Sequence, residues 1–176
     1  MSLPATLPRL HYEGARFGRI GQEMQERLDP YEIAPELMQA MLELEQKVKK
    51  SGLDPVLIRL MKTLASQLNG CAYCIDMHTR DARAAGESEQ RLYLLSAWRE
   101  SPLYSARERA ALAWTESLTL LASTHAPDEV YAELAGEFSE AERVKLTMVI
   151  VAINGWNRIA VGFRKLHPLA GDHAAA

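Results

Sequence analysis

Cysteine is almost missing from this chain: there are two in 176 residues, at positions 71 and 74. That excludes a disulfide-stapled scaffold and leaves one local pair of thiols. A surplus of positive charge is missing too. The net charge is −3 and the pI about 6.0, so nothing points to a nucleic-acid surface. The one basic cluster, Lys47 to Lys50, reads as a solvated helix end. Long unbroken apolar runs are absent as well. Leu146 to Phe163 is interrupted by Asn154, Gly155, Asn157 and Arg158, which argues against a membrane span. Met1 to Leu10 carries two prolines and no continuous apolar core, unlike an export signal. A cysteine pair without such a signal points to the reducing cytoplasm, where closely spaced thiols do chemistry more often than they staple. No glycine-rich phosphate loop and no serine–histidine–aspartate order occurs. Alternation with period two is also lacking, which excludes a sheet protein.

What is present is helical periodicity. The chain is 48% hydrophobic and 24% charged, an ordinary globular balance for one domain. The expectation is an all-α fold of about seven or eight helices, in three parts. Residues 1–34 form an N-terminal arm and first helix, 35–165 the helical core, and 166–176 a tail. Met1 to Arg16 is expected to wrap over the surface or a neighbouring subunit, and Ala15 to Leu28 to be helical. Pro35 to Ser51 sets Leu37, Met38, Met41, Leu42, Leu44, Glu45 and Val48 on one stripe, and Gly52 ends it. Asp54 caps a helix with Pro55 at its first position, and Leu57, Leu60, Met61, Leu64 and Leu68 form its buried face. Further helices are expected over Glu89–Trp98 and Ala106–Ala122, then from Pro127 to Phe138, and from Ser139 toward Arg164. Ser105 with Glu108, and Ser139 with Glu142, have capping-box spacing.

The chemistry gathers in Asn69-Gly70-Cys71-Ala72-Tyr73-Cys74-Ile75-Asp76-Met77-His78. A helix stops at Asn69-Gly70, and another runs from Cys71 to Ala85 with Gly86 closing it. At about 100° per residue, Cys71, Cys74 and His78 fall near 0°, −60° and −20°, with Asp81 near −80° at the edge of the same stripe. Two cysteines in a first helical turn can form a disulfide, and the positive helix end favours thiolate. A histidine between them can move protons. The reading is a redox dithiol site. Two competing readings use the same atoms: a pair of small buried hydrophobes, or a Cys₂His zinc site needing a distant fourth ligand. The helix dipole alone would make Cys71 the more acidic thiol, whereas Cys74 lies one turn from His78.

The neighbours have blander readings. Asp81 reads as a solvated aspartate that could also orient the His78 ring, Tyr73 as packing, and Arg59 as a structural ion-pair partner. Asp76 points away from the stripe. His11, His125, His167 and His173 have no chemical company. Trp98, Trp114 and Trp156 read as core or subunit-interface packing, and the methionines as filler. Glu108 and Glu116 lie too far apart to form an acid–base pair. One internal echo stands out: Leu64 to Cys71 can be laid over Val149 to Trp156 at an offset of 85, as in a duplicated helical unit whose chemistry survives in the first half only.

These residues in this order resemble the alkylhydroperoxidase D-like proteins of the carboxymuconolactone decarboxylase superfamily. The resemblance rests on Ser66-Gln67-Leu68-Asn69-Gly70-Cys71-Ala72-Tyr73-Cys74 with His78, then Asp81-Ala82-Arg83 and Gly86. It continues through Arg91-Leu92-Tyr93, Ala97-Trp98-Arg99-Glu100 and Glu108 to Ala113, and ends in Ile153-Asn154-Gly155-Trp156-Asn157-Arg158, covering roughly Pro35 to Arg164. It implies an all-helical fold assembled as a trimer or as a hexamer of dimers, and a cofactor-free thiol peroxidase. Cys74 would attack the hydroperoxide, Cys71 would resolve the sulfenic acid as a disulfide, and His78 would relay protons. A thiol partner, lipoyl-bearing in some members, would reduce the disulfide. Decarboxylase members generally lack the cysteine pair, so their activity is not implied. The chain departs from the pattern in two places. Arg59 stands where peroxidase members carry a relay glutamate, and Tyr73 where some carry a histidine. Arginine can stabilise a thiolate but cannot act as a base near neutral pH, so weak peroxidase activity is expected, with a non-peroxidatic redox sensor as the alternative.

Overall fold

The computed structural model describes residues 24–168, in which every regular element is helical. In order these are α1 (Pro30–Ile33), α2 (Pro35–Lys49), α3 (Pro55–Leu68), α4 (Ala72–Ala84) and α5 (Glu89–Leu94). A 3-10 segment, Leu95–Glu100, leads into α6 (Ala106–Thr119), α7 (Leu121–Thr124), α8 (Asp128–Glu137) and α9 (Glu140–Phe163). The expected wrapping of Met1 to Arg16 lies outside the described residues. So does the first part of the helix expected over Ala15–Leu28, and its last part, Met24–Leu28, is not helical.

Local signals account for most boundaries. Asp54 caps α3 by accepting from the Val56 N–H at 2.8 Å, with Pro55 at the first helical position. Both capping boxes form: Ser105 and Glu108 open α6, Ser139 and Glu142 open α9. Two expected helices are corrected. The one over Glu89–Trp98 changes to 3-10 at Leu95, where Ala97 leaves helical geometry. The one over Ala106–Ala122 stops at Thr119 and restarts as a single turn.

Helix α3 is the hub, packing on α4, α6 and α9. Leu57, Ile58 and Met61 join Ala111, Trp114, Leu146, Val149 and Ile150 in one core cluster. Leu60 and Leu64 join Leu95, Trp98, Tyr104 and Leu112 in another. Leu60, Met61 and Leu64 are almost wholly buried, each contributing about 1.5–3 kcal/mol of transfer energy. Helix α9 is long and apolar enough by length and composition to cross a membrane. Within the described residues its apolar face instead packs on α2, α3, α4, α6 and α8.

The Asn-Gly echo is reused with a different outcome. At Asn69-Gly70 the chain breaks, and Gly70 takes φ 65°, a left-handed conformation that disfavours any side chain. Asn154-Gly155 lies inside α9 and breaks nothing. A Cβ on Gly155 would come within 2.9 Å of the Met41 methyl, so the glycine admits α2 against α9. The two asparagines, 85 residues apart, are themselves hydrogen-bonded, Asn69 Nδ2 donating to Asn154 Oδ1 at 3.0 Å.

Candidate active site

The turn between α3 and α4 is clamped from α9. Asn69 Nδ2 donates to Asn157 Oδ1 at 2.9 Å as well as to Asn154, and Asn157 Nδ2 donates to Ser66 Oγ at 3.1 Å. Asn154 Nδ2 in turn donates to Thr119 Oγ1 and the Ile150 carbonyl. The side-chain amides of Asn69, Asn154 and Asn157 are all hydrogen-bonded in this cluster, which fixes the start of α4.

Cys71 is the N-cap of α4. Its N–H donates to the Ser66 carbonyl, and its Sγ accepts from the Cys74 N–H at 3.3 Å. The two cysteines are joined in a disulfide with Cα atoms 5.3 Å apart. Both are buried, and they face different spaces. Cys74 lines a cavity of about 750 Å³ together with His78, whereas Cys71 lines a separate groove with Gly70, Ala72, Arg164 and His167. Tyr73 borders both, a wall between them, in keeping with a packing role. In this disulfide form the two sulfurs are bonded to each other, and no group of three ligating side chains is gathered among the described residues.

His78 is buried, and its Nε2 has no hydrogen-bond partner among the described residues. Burial first, and the nearby Lys62 ammonium second, push its pKa from 6.5 down to about 4. The ring is therefore neutral near pH 7 and able to accept a proton. The unfolded chain protonates this ring near pH 6.5 and the folded chain only near pH 4, so stability falls as pH drops through that window. The shift corresponds to roughly 3 kcal/mol. Chemical denaturation between pH 7 and pH 4 should show this loss, and His78→Gln should flatten it.

Two residues of the same cavity escaped sequence reasoning. Lys62 of α3 is buried on the core side and donates through Nζ to Glu45 Oε1 of α2. Desolvation lowers the Lys62 pKa, and the Glu45 contact opposes that. Glu45 Oε2 is buried without a hydrogen-bond partner among the described residues. Both line the cavity beside His78. The available signals were a glutamate inside the apolar stripe of α2 and a lysine between Met61 and Thr63 on a core helix.

Asp81 is exposed at the cavity rim, and no hydrogen bond joins it to His78, so the solvated reading stands and the orienting one does not. The expectation for Arg59 is corrected. It is half-buried in the cavity wall and makes no ion pair among the described residues. Nearby acids are engaged elsewhere, Glu45 by Lys62 and Glu87 by Arg91 at 3.0 Å. Trp98 and Trp114 are core residues, while Trp156 lines the cavity. Glu108 and Glu116 are ion-pair partners of Arg91 and Arg99.

Residues 35–117 match the model of the Carboxymuconolactone decarboxylase family. The uncharacterized protein YdfG of Bacillus subtilis is 46% identical over 138 residues, covering 78% of this chain and 94% of the relative. A crystal structure from Agrobacterium tumefaciens, of a protein of unknown function described as a candidate antioxidant defence protein AhpD, is 47% identical. It superposes with TM-score 0.81 over 83% of this chain and all of its own. The apo structure of the debrominase Bmp8, at 21% identity, covers 78% of this chain and 74% of its own with TM-score 0.71, a likeness of fold alone.

Proposed function

The chain belongs to the carboxymuconolactone decarboxylase family, and from that premise we propose that it is a thiol-dependent peroxidase acting on alkyl hydroperoxides in antioxidant defence. The observation that carries the reading is the Cys71–Cys74 disulfide, with Cys74 and His78 sharing one cavity and Cys71 facing another space.

The cycle runs through this chain's own residues without a resident cofactor. His78 accepts the Cys74 proton, and the thiolate attacks the distal oxygen of the hydroperoxide. The O–O bond breaks, and the alkoxide leaves as alcohol by taking the proton back from His78. Cys74 is now a sulfenic acid. The Cys71 thiol displaces its hydroxyl, releasing water and closing the disulfide. An external dithiol, a small thiol or a lipoyl-type partner, returns both cysteines to thiols by exchange and is itself oxidised. The thiolate supplies negative charge beside His78 that the disulfide lacks, so the ring is a better proton acceptor in the reduced protein.

The same reading places the protein in the cytoplasm as a homo-oligomer, a trimer or a hexamer of dimers. In support, α9 presents Val144, Met148 and Val151 exposed on one face of the single chain. A redox sensor would use the same disulfide, and turnover separates the two. With excess dithiol, a peroxidase consumes many equivalents of alkyl hydroperoxide per chain, and a sensor consumes one.

A further inference from the structure

A guanidinium drawn half out of water into a largely apolar cleft, with no anion paired to it, is a costly arrangement unless a ligand supplies one. Arg59 is in that position. Among the described residues three cations line the cavity, and the other two meet Glu45: Lys62 closely, and Lys49 from the rim at 3.9 Å. Arg59 has neither an ion pair nor a side-chain hydrogen bond among the described residues. Asp81 of the same cavity is exposed and makes no ion pair with it, and Glu87, which shares a neighbouring cleft with Arg59, is paired with Arg91.

Most of the rest of the wall is apolar, with Leu42, Ile58, Met77, Ile153, Trp156 and Ala160 among its residues. About 750 Å³ is ample for a small organic molecule and far more than a compact hydroperoxide needs. Arg59 also shares a neighbouring cleft with Ala85, which places it toward the C-terminal end of α4. Cys74 lies eleven residues before Ala85, so the two ends of the groove are about 16 Å apart at 1.5 Å per residue. A medium-length acyl chain covers that span.

We infer that this cavity binds an elongated apolar molecule with one carboxylate end, the carboxylate on Arg59 and the apolar body reaching toward Cys74. For the carboxylate site this rests on the cavity alone. For the substrate, a carboxylate-bearing hydroperoxide of the fatty-acid kind, it rests on the peroxidase reading. The carboxylate takes no part in the electron transfer. It anchors the substrate so that its O–O bond meets the Cys74 sulfur, and the products are the hydroxy acid and the sulfenic acid.

The test uses laurate and its methyl ester as probes of the disulfide form, by displacement of a fluorescent fatty acid. Laurate should bind the native protein at least tenfold more tightly than the ester. Arg59→Gln should erase that preference, and Arg59→Lys should keep part of it, with unchanged melting temperatures for both. Equal binding of acid and ester, or an acid preference that survives Arg59→Gln, overturns the inference. Laurate bound as expected, without consumption of any fatty-acid hydroperoxide, leaves the anion site standing and removes the peroxidase reading. Turnover of a small alkyl hydroperoxide without laurate binding does the reverse.

Discussion

Cys74→Ser is expected to lower hydroperoxide turnover on the order of a thousandfold or more, because a serine hydroxyl in this cavity is no substitute for a thiolate. Cys71→Ser should behave differently. Its Cys74 can still take the peroxide oxygen, so a sulfenic acid should accumulate and be trapped by dimedone, while cycling through the disulfide stops. Helix-dipole reasoning would favour Cys71 at the very start of α4, and Cys71 is indeed the N-cap. That position gives the sulfur an N–H to accept, but no part in the His78 cavity. A nucleophile that must lose a proton and a leaving group that must gain one both need the histidine within reach. If the sulfenic acid formed on Cys71 in Cys74→Ser, and Cys71→Ser were inert, the dipole would have decided and the roles proposed here would be reversed.

The second large effect concerns stability. Lys62→Met should destabilise the fold by about 3–5 kcal/mol, because it leaves the largely buried Glu45 carboxylate with only the distant, exposed Lys49 ammonium at 3.9 Å. That is a large share of the roughly 5–15 kcal/mol a domain of this size has. Replacing both partners, Glu45→Leu with Lys62→Met, should recover most of the loss, since an apolar pair of similar volume avoids desolvating either charge. Removing Lys62 also removes one cause of the low His78 pKa, so the ring should move up from about 4. The acid-induced loss of stability between pH 6.5 and 4 should then shrink. Urea unfolding of the two variants at pH 7 and pH 5 reads both effects. A single variant as stable as the native protein would mean that Glu45 reaches water or another partner on its own.

Sequence and structure agree where the determinant is local. The Asn69-Gly70 stop, the Asp54 and Pro55 start and both capping boxes act within a few residues of themselves, and all form as the pattern suggests. The stripe through Cys71, Cys74 and His78 is likewise a property of one helix. Disagreements arise where a second element intervenes. Asn154-Gly155 has the same two residues as the true stop, yet α9 runs through it, because Asn154 is satisfied by Thr119 and Ile150 and Gly155 accommodates Met41. Glu45 and Lys62 sit seventeen positions apart on different helices, so neither periodicity nor spacing could pair them. Arg59 reads as an ion-pair partner from its type alone, and only the tertiary arrangement shows that Lys62 takes Glu45 and Arg91 takes Glu87. The separation of the two cysteines onto different spaces is equally a matter of tertiary packing, since Tyr73 needs neighbours from α1 and α9 to form a wall.

The measurement that bears most directly on the central claim is a thiol count by mass spectrometry on the reduced protein after one equivalent of an alkyl hydroperoxide, then again after a dithiol. The account predicts rapid loss of two hydrogens confined to the peptide holding Cys71 and Cys74, fully reversed by the dithiol. Both cysteines remaining alkylatable, with no change in mass, would contradict it.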